Sequence, residues 1–101
     1  MKTLLAAVLA VAAVSPAMAD AGLDLAQKKN CLACHAVDKK VVGPAYKDVS
    51  AKYKGDKTAL AKLTEKIQKG GAGVWGQVPM PPNQVTPDEA KTLATWVLSL
   101  K

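Results

Sequence analysis

Cys31-Leu32-Ala33-Cys34-His35 decides how this 101-residue chain is read. Two thiols one helical turn apart, followed by an imidazole, form the arrangement that fixes a haem through two thioether bonds and ligates its iron from one side. The pentapeptide uses both cysteines and the single histidine of the sequence, so either it carries the function or almost nothing does. Three other readings make demands on the rest of the chain. A zinc site needs a fourth ligand, ordinarily from a second Cys or His cluster, and the sequence has none. A thioredoxin-like redox pair belongs at the start of a helix that follows a strand, and no stretch shows a convincing strand pattern. A disulfide between Cys31 and Cys34 would close a very short loop and stabilise little.

Outward from the motif the chain reads as helices joined by Gly/Pro loops, without repeats or low-complexity segments. Ala21 to about Lys29 forms a short helix with Leu25 facing inward, ending near Asn30. Pro44 is placed as a first-turn residue of a second helix, in which Tyr46, Val49 and Tyr53 recur at helical spacing until Gly55. A third runs from about Thr58 to Lys69 on the apolar face Leu60, Leu63 and Ile67, and Gly70-Gly71 stops it. Residues 70 to 85 hold four glycines and three prolines and are expected to be irregular. The last helix has the clearest start: Thr86 as N-cap, Pro87 in the first position, then Asp88 and Glu89, with Glu89 placed to close a capping box. Leu93, Trp96, Val97 and Leu100 make its buried stripe. The expectation is an all-α fold of about four helices wrapped around one covalently bound haem.

The N-terminus reads as a secretory signal. Lys2 supplies the positive start, Leu4 to Val14 an unbroken apolar run, and Ala17-Met18-Ala19 a small-x-small cleavage site. Residues 1–19 are expected to be removed, leaving 20–101 as one domain that begins at Asp20. The apolar run falls short of the roughly 18 to 20 residues that span a bilayer, so no membrane span remains after cleavage; an uncleaved tether is the other reading. Haem attachment of this type follows export, which points to the bacterial periplasm. A domain this small is marginal on hydrophobic burial alone and usually needs a staple, and a covalent haem would supply one in a chain that has no Phe.

All 14 basic residues are Lys. Loss of Lys2 with the signal leaves thirteen against eight acidic residues, a net charge of +5. The absence of Arg argues against nucleic acid, where bidentate contacts favour guanidinium. Dispersed lysines suit steering toward an acidic partner surface.

What fills the iron's sixth position separates electron transfer from chemistry on a small ligand. With Met1 and Met18 gone, Met80 is the one methionine left. It stands in Val78-Pro79-Met80-Pro81-Pro82-Asn83, where three prolines leave little backbone freedom around one soft thioether. Met80 is therefore expected to ligate opposite His35, although methionine is more commonly core filler and a lysine can ligate ferric haem at alkaline pH. A thioether opposite an imidazole favours ferrous iron and raises the potential.

Three stretches closely resemble the small bacterial class I cytochromes c of the c-551 (c8) type: Cys31 to Tyr46 (CLACHAVDKKVVGPAY), Gly73 to Asn83 (GVWGQVPMPPN) and Asp88 to Lys101 (DEAKTLATWVLSLK). The likeness covers essentially the whole mature chain. It implies that the Pro44 carbonyl accepts a hydrogen bond from the distal ring nitrogen of His35, where Pro44 otherwise only starts a helix. It implies that Trp75, otherwise a core aromatic, donates its indole N–H to a haem propionate. Asn83, otherwise a turn residue, would lie near the Met80 sulfur and adjust its orientation. Lys66 falls where relatives often place an Arg near a propionate, and a Lys there gives a single-point contact. Relatives often pair an aromatic on the first helix with the last, but here the first helix offers Ala26. A weaker contact between terminal helices is expected, with a gain in stability from Ala26→Phe.

These expectations describe a monomeric periplasmic electron carrier rather than an enzyme. It would exchange electrons with redox proteins of the reductase, oxidase, nitrite reductase or peroxidase type, docked electrostatically through lysines such as Lys28, Lys29, Lys39 and Lys40. The alternative is a ligand-binding or peroxidase-like haem protein with an open sixth position, disfavoured because no acid–base pair, distal His or Arg is available to activate bound oxygen.

Overall fold

The computed structural model describes residues 16–101, with side chains from residue 21 onward. The expected signal, Met1 to Ala19, falls largely outside them. Four helices follow in order: α1 (Pro16–Lys28), α2 (Tyr46–Lys52), α3 (Ala59–Lys69) and α4 (Pro87–Leu98), with a single 3-10 turn over Cys31–Ala33 between α1 and α2. No strand occurs among the described residues; isolated bridges join His35 to Lys40 and Gly71 to Met80.

Local chemistry accounts for the helix starts. At α4 the Glu89 N–H donates to Thr86 Oγ1 at 3.1 Å and the Thr86 N–H donates to Glu89 Oε1 at 2.9 Å, a closed capping box with Pro87 in the first position. Such a cap stabilises a helix by about 1 kcal/mol. The Thr86 N–H, with Lys29 at 3.6 Å from the same carboxylate oxygen, holds the Glu89 carboxyl below the usual carboxylate range. That support is present at neutral pH and fades as the carboxyl is protonated in acid.

Three boundaries differ from the sequence expectation. Helix α1 begins at Pro16 rather than Ala21 and ends at Lys28. Helix α3 begins at Ala59, and its entry is organised by Asp56, whose Oδ1 accepts from the Thr58 N–H at 2.8 Å and the Thr58 hydroxyl at 2.6 Å. Pro44 is not in the first turn of α2. Ala45 is the N-cap, in extended conformation, and its carbonyl takes the first helical bonds from Asp48 and Val49. Pro44 thus stands one residue outside the ladder, where its carbonyl is free to face elsewhere.

Helix α4 is the centre of the assembly and packs against each of the other three. Ala26, Tyr46, Val49, Leu93, Trp96 and Val97 form the buried cluster, with Leu23, Leu63 and Ile67 among the partly buried side chains on its margin. Ser50 ties α2 to the end of α4: its hydroxyl is shared between the carbonyls of Leu98 at 3.1 Å and Leu100 at 2.7 Å, acceptors that the helix itself leaves unpaired.

The terminal helices meet more closely than the missing aromatic suggests. Gly22 and Ala26 are one turn apart on the face of α1 toward α4, and Ala26 is 0 % exposed. A Cβ on Gly22 would collide with the Trp96 side chain. The two small residues admit the Trp96 ring, so no void waits for a second one. The expectation that Ala26→Phe adds stability is therefore reversed: overpacking of this kind costs about 1–3 kcal/mol, and thermal melting by circular dichroism should show a lower midpoint for the variant.

Candidate cofactor site

The attachment motif is shaped by its own backbone. After α1, Asn30 takes a left-handed conformation (φ 61°) and turns the chain into the 3-10 turn that carries Cys31. The Cys31 carbonyl then accepts from both the Cys34 N–H at 3.2 Å and the His35 N–H at 3.1 Å, and no disulfide joins the two cysteines. Burial pushes the Cys31 thiol above its ordinary value before attachment, partly offset by the Tyr46 hydroxyl. The chain returns through Val42 and Gly43, whose N–H groups both donate to the Cys34 carbonyl, at 3.1 and 2.7 Å.

That return brings Pro44 to His35. The imidazole Nδ1 lies 2.8 Å from the Pro44 carbonyl. A carbonyl can only accept, so Nδ1 carries a proton, and it is then Nε2 that offers a lone pair to a metal in the neutral ring. The contact expected of Pro44 is present in the fold.

Met80 comes from the segment between α3 and α4. Its N–H donates to the Gly71 carbonyl at 2.8 Å and its carbonyl accepts from the Gly71 N–H at 3.0 Å. Gly70 beside this pair has φ 75°, and a Cβ there would strike the Met80 carbonyl. Glycine is required on both counts. Beyond Met80, the Asn83 side-chain Nδ2 donates to the Ile67 carbonyl at 2.8 Å near the end of α3. Asn83 thus anchors the methionine segment to a helix, with its amide N–H committed to that carbonyl.

Cys31, Cys34, His35 and Met80 line one cavity of about 510 Å³, with Asn83 at its wall and Lys28 and Lys29 at its rim. That volume is in the range of ordinary cofactor sites. The large apolar side chains left exposed, Val41, Val42, Val74, Trp75 and Val78, sit on the two segments that carry His35 and Met80. A flat ring held by Cys31 and Cys34 would meet His35 and Met80 in this cavity, so the residues fit a haem.

The remaining sequence candidates lie at the periphery. Lys66 reaches Gly71: its Nζ would be 2.6 Å from a Cβ placed there, so the ammonium lies against the methionine segment. Trp75 is 44 % exposed and is not a lining residue of the cavity. Its ring centroid is 5.7 Å from Lys52 Nζ, which is also 5.9 Å from that of Tyr53. Of the docking lysines, Lys39 and Lys40 are exposed, whereas Lys29 is half-buried against Glu89. Sequence reasoning missed the stacking of Tyr46 on the imidazole, with centroids 4.7 Å apart and planes 20° apart. The closeness of Tyr46 to Pro44 was the available signal.

The family model for cytochrome c matches residues 19–101. The chain belongs to the cytochrome c family. Among curated relatives, cytochrome c-551 of Pseudomonas aeruginosa is 60 % identical over 77 residues, covering 76 % of this chain and 74 % of its own. Cytochrome c-552 of Hydrogenobacter thermophilus is 53 % identical over 100 residues, covering 99 % and 98 %. The crystal structure of wild-type Nitrosomonas europaea cytochrome c552 superposes with a TM-score of 0.76 at 56 % identity, covering 78 % of this chain and 99 % of that one. This cytochrome c is accordingly a class I, c-551-type protein with an all-α fold. It holds haem c and its iron covalently, with Cys31 and Cys34 in the attachment positions, and carries electrons rather than catalysing a reaction.

Proposed function

We propose that this cytochrome is a periplasmic one-electron carrier whose iron is held by His35 and Met80. The observation that carries the reading is the Nδ1–Pro44 bond. It leaves the Nε2 lone pair available in a cavity that Met80 also lines. The haem supplies the reversible ferric/ferrous couple. The protein supplies a basic imidazole in a fixed tautomer, a thioether held by the Gly71 bridge and three prolines, and thereby a filled coordination sphere that excludes oxygen and peroxide. Trp75 and Lys66 are proposed for the propionate side, Lys66 as a single-point cation. On the export reading of residues 1–19 the mature chain, 20–101, acts in the periplasm, and it is proposed to act as a monomer. Redox proteins of the reductase, oxidase, nitrite reductase or peroxidase type dock there on the lysine-bearing side, chiefly through Lys28, Lys39 and Lys40.

The ferric absorption spectrum of the exported holoprotein tests the ligand set. A low-spin spectrum with a far-red sulfur-to-iron band is expected; a high-spin spectrum would remove Met80 from the iron and favour the open-site alternative. Electron exchange with a reductase should slow as salt rises from about 10 mM to 150 mM, where the screening length falls from about 30 to 8 Å. A rate indifferent to salt would rule out electrostatic docking.

A further inference from the structure

The Nδ1–Pro44 bond alone leaves the imidazole one freedom. A line from Nε2 across the ring passes through the middle of the Cγ–Nδ1 bond, so turning the ring about it moves Nδ1 by only a fraction of a bond length. A hydrogen bond to a carbonyl accepts a broad range of directions and resists that turn weakly. The face of the ring meets something stiffer. Tyr46 stacks on it at 4.7 Å with the planes 20° apart, and any large turn drives an imidazole edge into the phenol ring. Tyr46 has little room to yield. It is 8 % exposed, its backbone N–H donates to the Ala36 carbonyl at 2.9 Å, and its ring meets Trp96 edge-on at 5.3 Å. Gly43 adjoins the Cε1 corner, where a Cβ would lie 2.5 Å from that atom.

We infer that Tyr46 is a positioning residue that sets the rotation of His35 about the bond from Nε2 to the iron. The inference rests on ligation by His35. In low-spin ferric haem that rotation governs the axis along which unpaired spin spreads over the macrocycle, so a ring buried among α2 and α4 would control how the redox orbital is distributed at the haem edge.

Proton NMR of the ferric holoprotein reads the rotation through the spread and order of the haem methyl shifts. Tyr46→Phe keeps the flat face and should keep the wild-type pattern. Tyr46→Leu removes the face and should lose that pattern while the His35 Nδ1–H resonance persists, a separation that a merely structural role would not produce. A folded Leu variant with wild-type methyl shifts, or a Phe variant that moves as far as Leu, overturns the inference. If the Leu variant does not fold, the ferrous wild-type protein decides: a strong Overhauser effect between the ring protons of Tyr46 and His35 is expected, and its absence overturns the stack. Loss of the premise looks different, because His35 ring protons without a hyperfine shift in the wild-type ferric protein would sink the ligation itself. Shifted His35 protons with unmoved methyls would sink only the role of Tyr46.

Discussion

Met80→Ala should give a folded, covalently loaded haem protein whose ferric form has turned high-spin, lost its far-red band and gained affinity for azide and imidazole. Once residues 1–19 are removed, the chain has no other methionine and no second histidine to take the vacated position. The segment around it should stay in place, because the Gly71–Met80 bridge is made by backbone groups and Asn83 remains anchored on Ile67. The potential should fall by an amount on the order of 0.1 V or more, within the roughly 0.8 V range that axial ligands command. Met80→His separates the ligand from the loop: it should restore a low-spin spectrum but not the potential, since a second imidazole favours ferrous iron less than a thioether does. Survival of the far-red band in Met80→Ala would show that the sulfur was never on the iron.

Trp96→Ala carries the largest expected loss of stability. The indole is 7 % exposed, fits over Gly22 on α1 and meets Tyr46 of α2 edge-on, so its removal opens a cavity where three helices join. Aromatic-to-alanine changes in such positions cost about 3–5 kcal/mol, against a total of about 5–15 kcal/mol for a domain. At about 4–8 °C per kcal/mol for a chain of this size, the melting midpoint of the oxidised protein should drop by about 12 to 40 °C. A fall of only a few degrees would mean that α1 and α4 are held mainly by the haem and not by this contact.

The helices were legible because their ends are written in local chemistry. Thr86-Pro87-Asp88-Glu89 and Gly70-Gly71 act within one turn, and the structure places both as read. The attachment motif was legible for a related reason: it holds both cysteines and the single histidine of the chain. What escaped the sequence is what depends on two helices meeting. The reading of Ala26 as a missing partner compared side chains one against one, whereas the packing couples Gly22, Ala26 and Trp96 together. Pro44 lies two residues before the first residue of α2 rather than in its first turn, because a proline's fixed φ suits the approach to a helix as well as its first turn. Tyr46 was visible as a periodic apolar residue, and only its closeness to Pro44, the expected partner of His35, hinted at the imidazole across its ring.

The bridge between Gly71 and Met80 also bears on how such a protein can change over generations. It closes the exposed residues 72–79 into a lobe whose two ends are bonded to each other. The energetic cost of lengthening a closed loop grows only slowly with its size. Residues at the tip of the lobe other than Trp75 can therefore be lost, gained or exchanged with little effect on the Met80 segment at its base, so the outer surface of the lobe can diverge while the backbone pair that closes it stays the same.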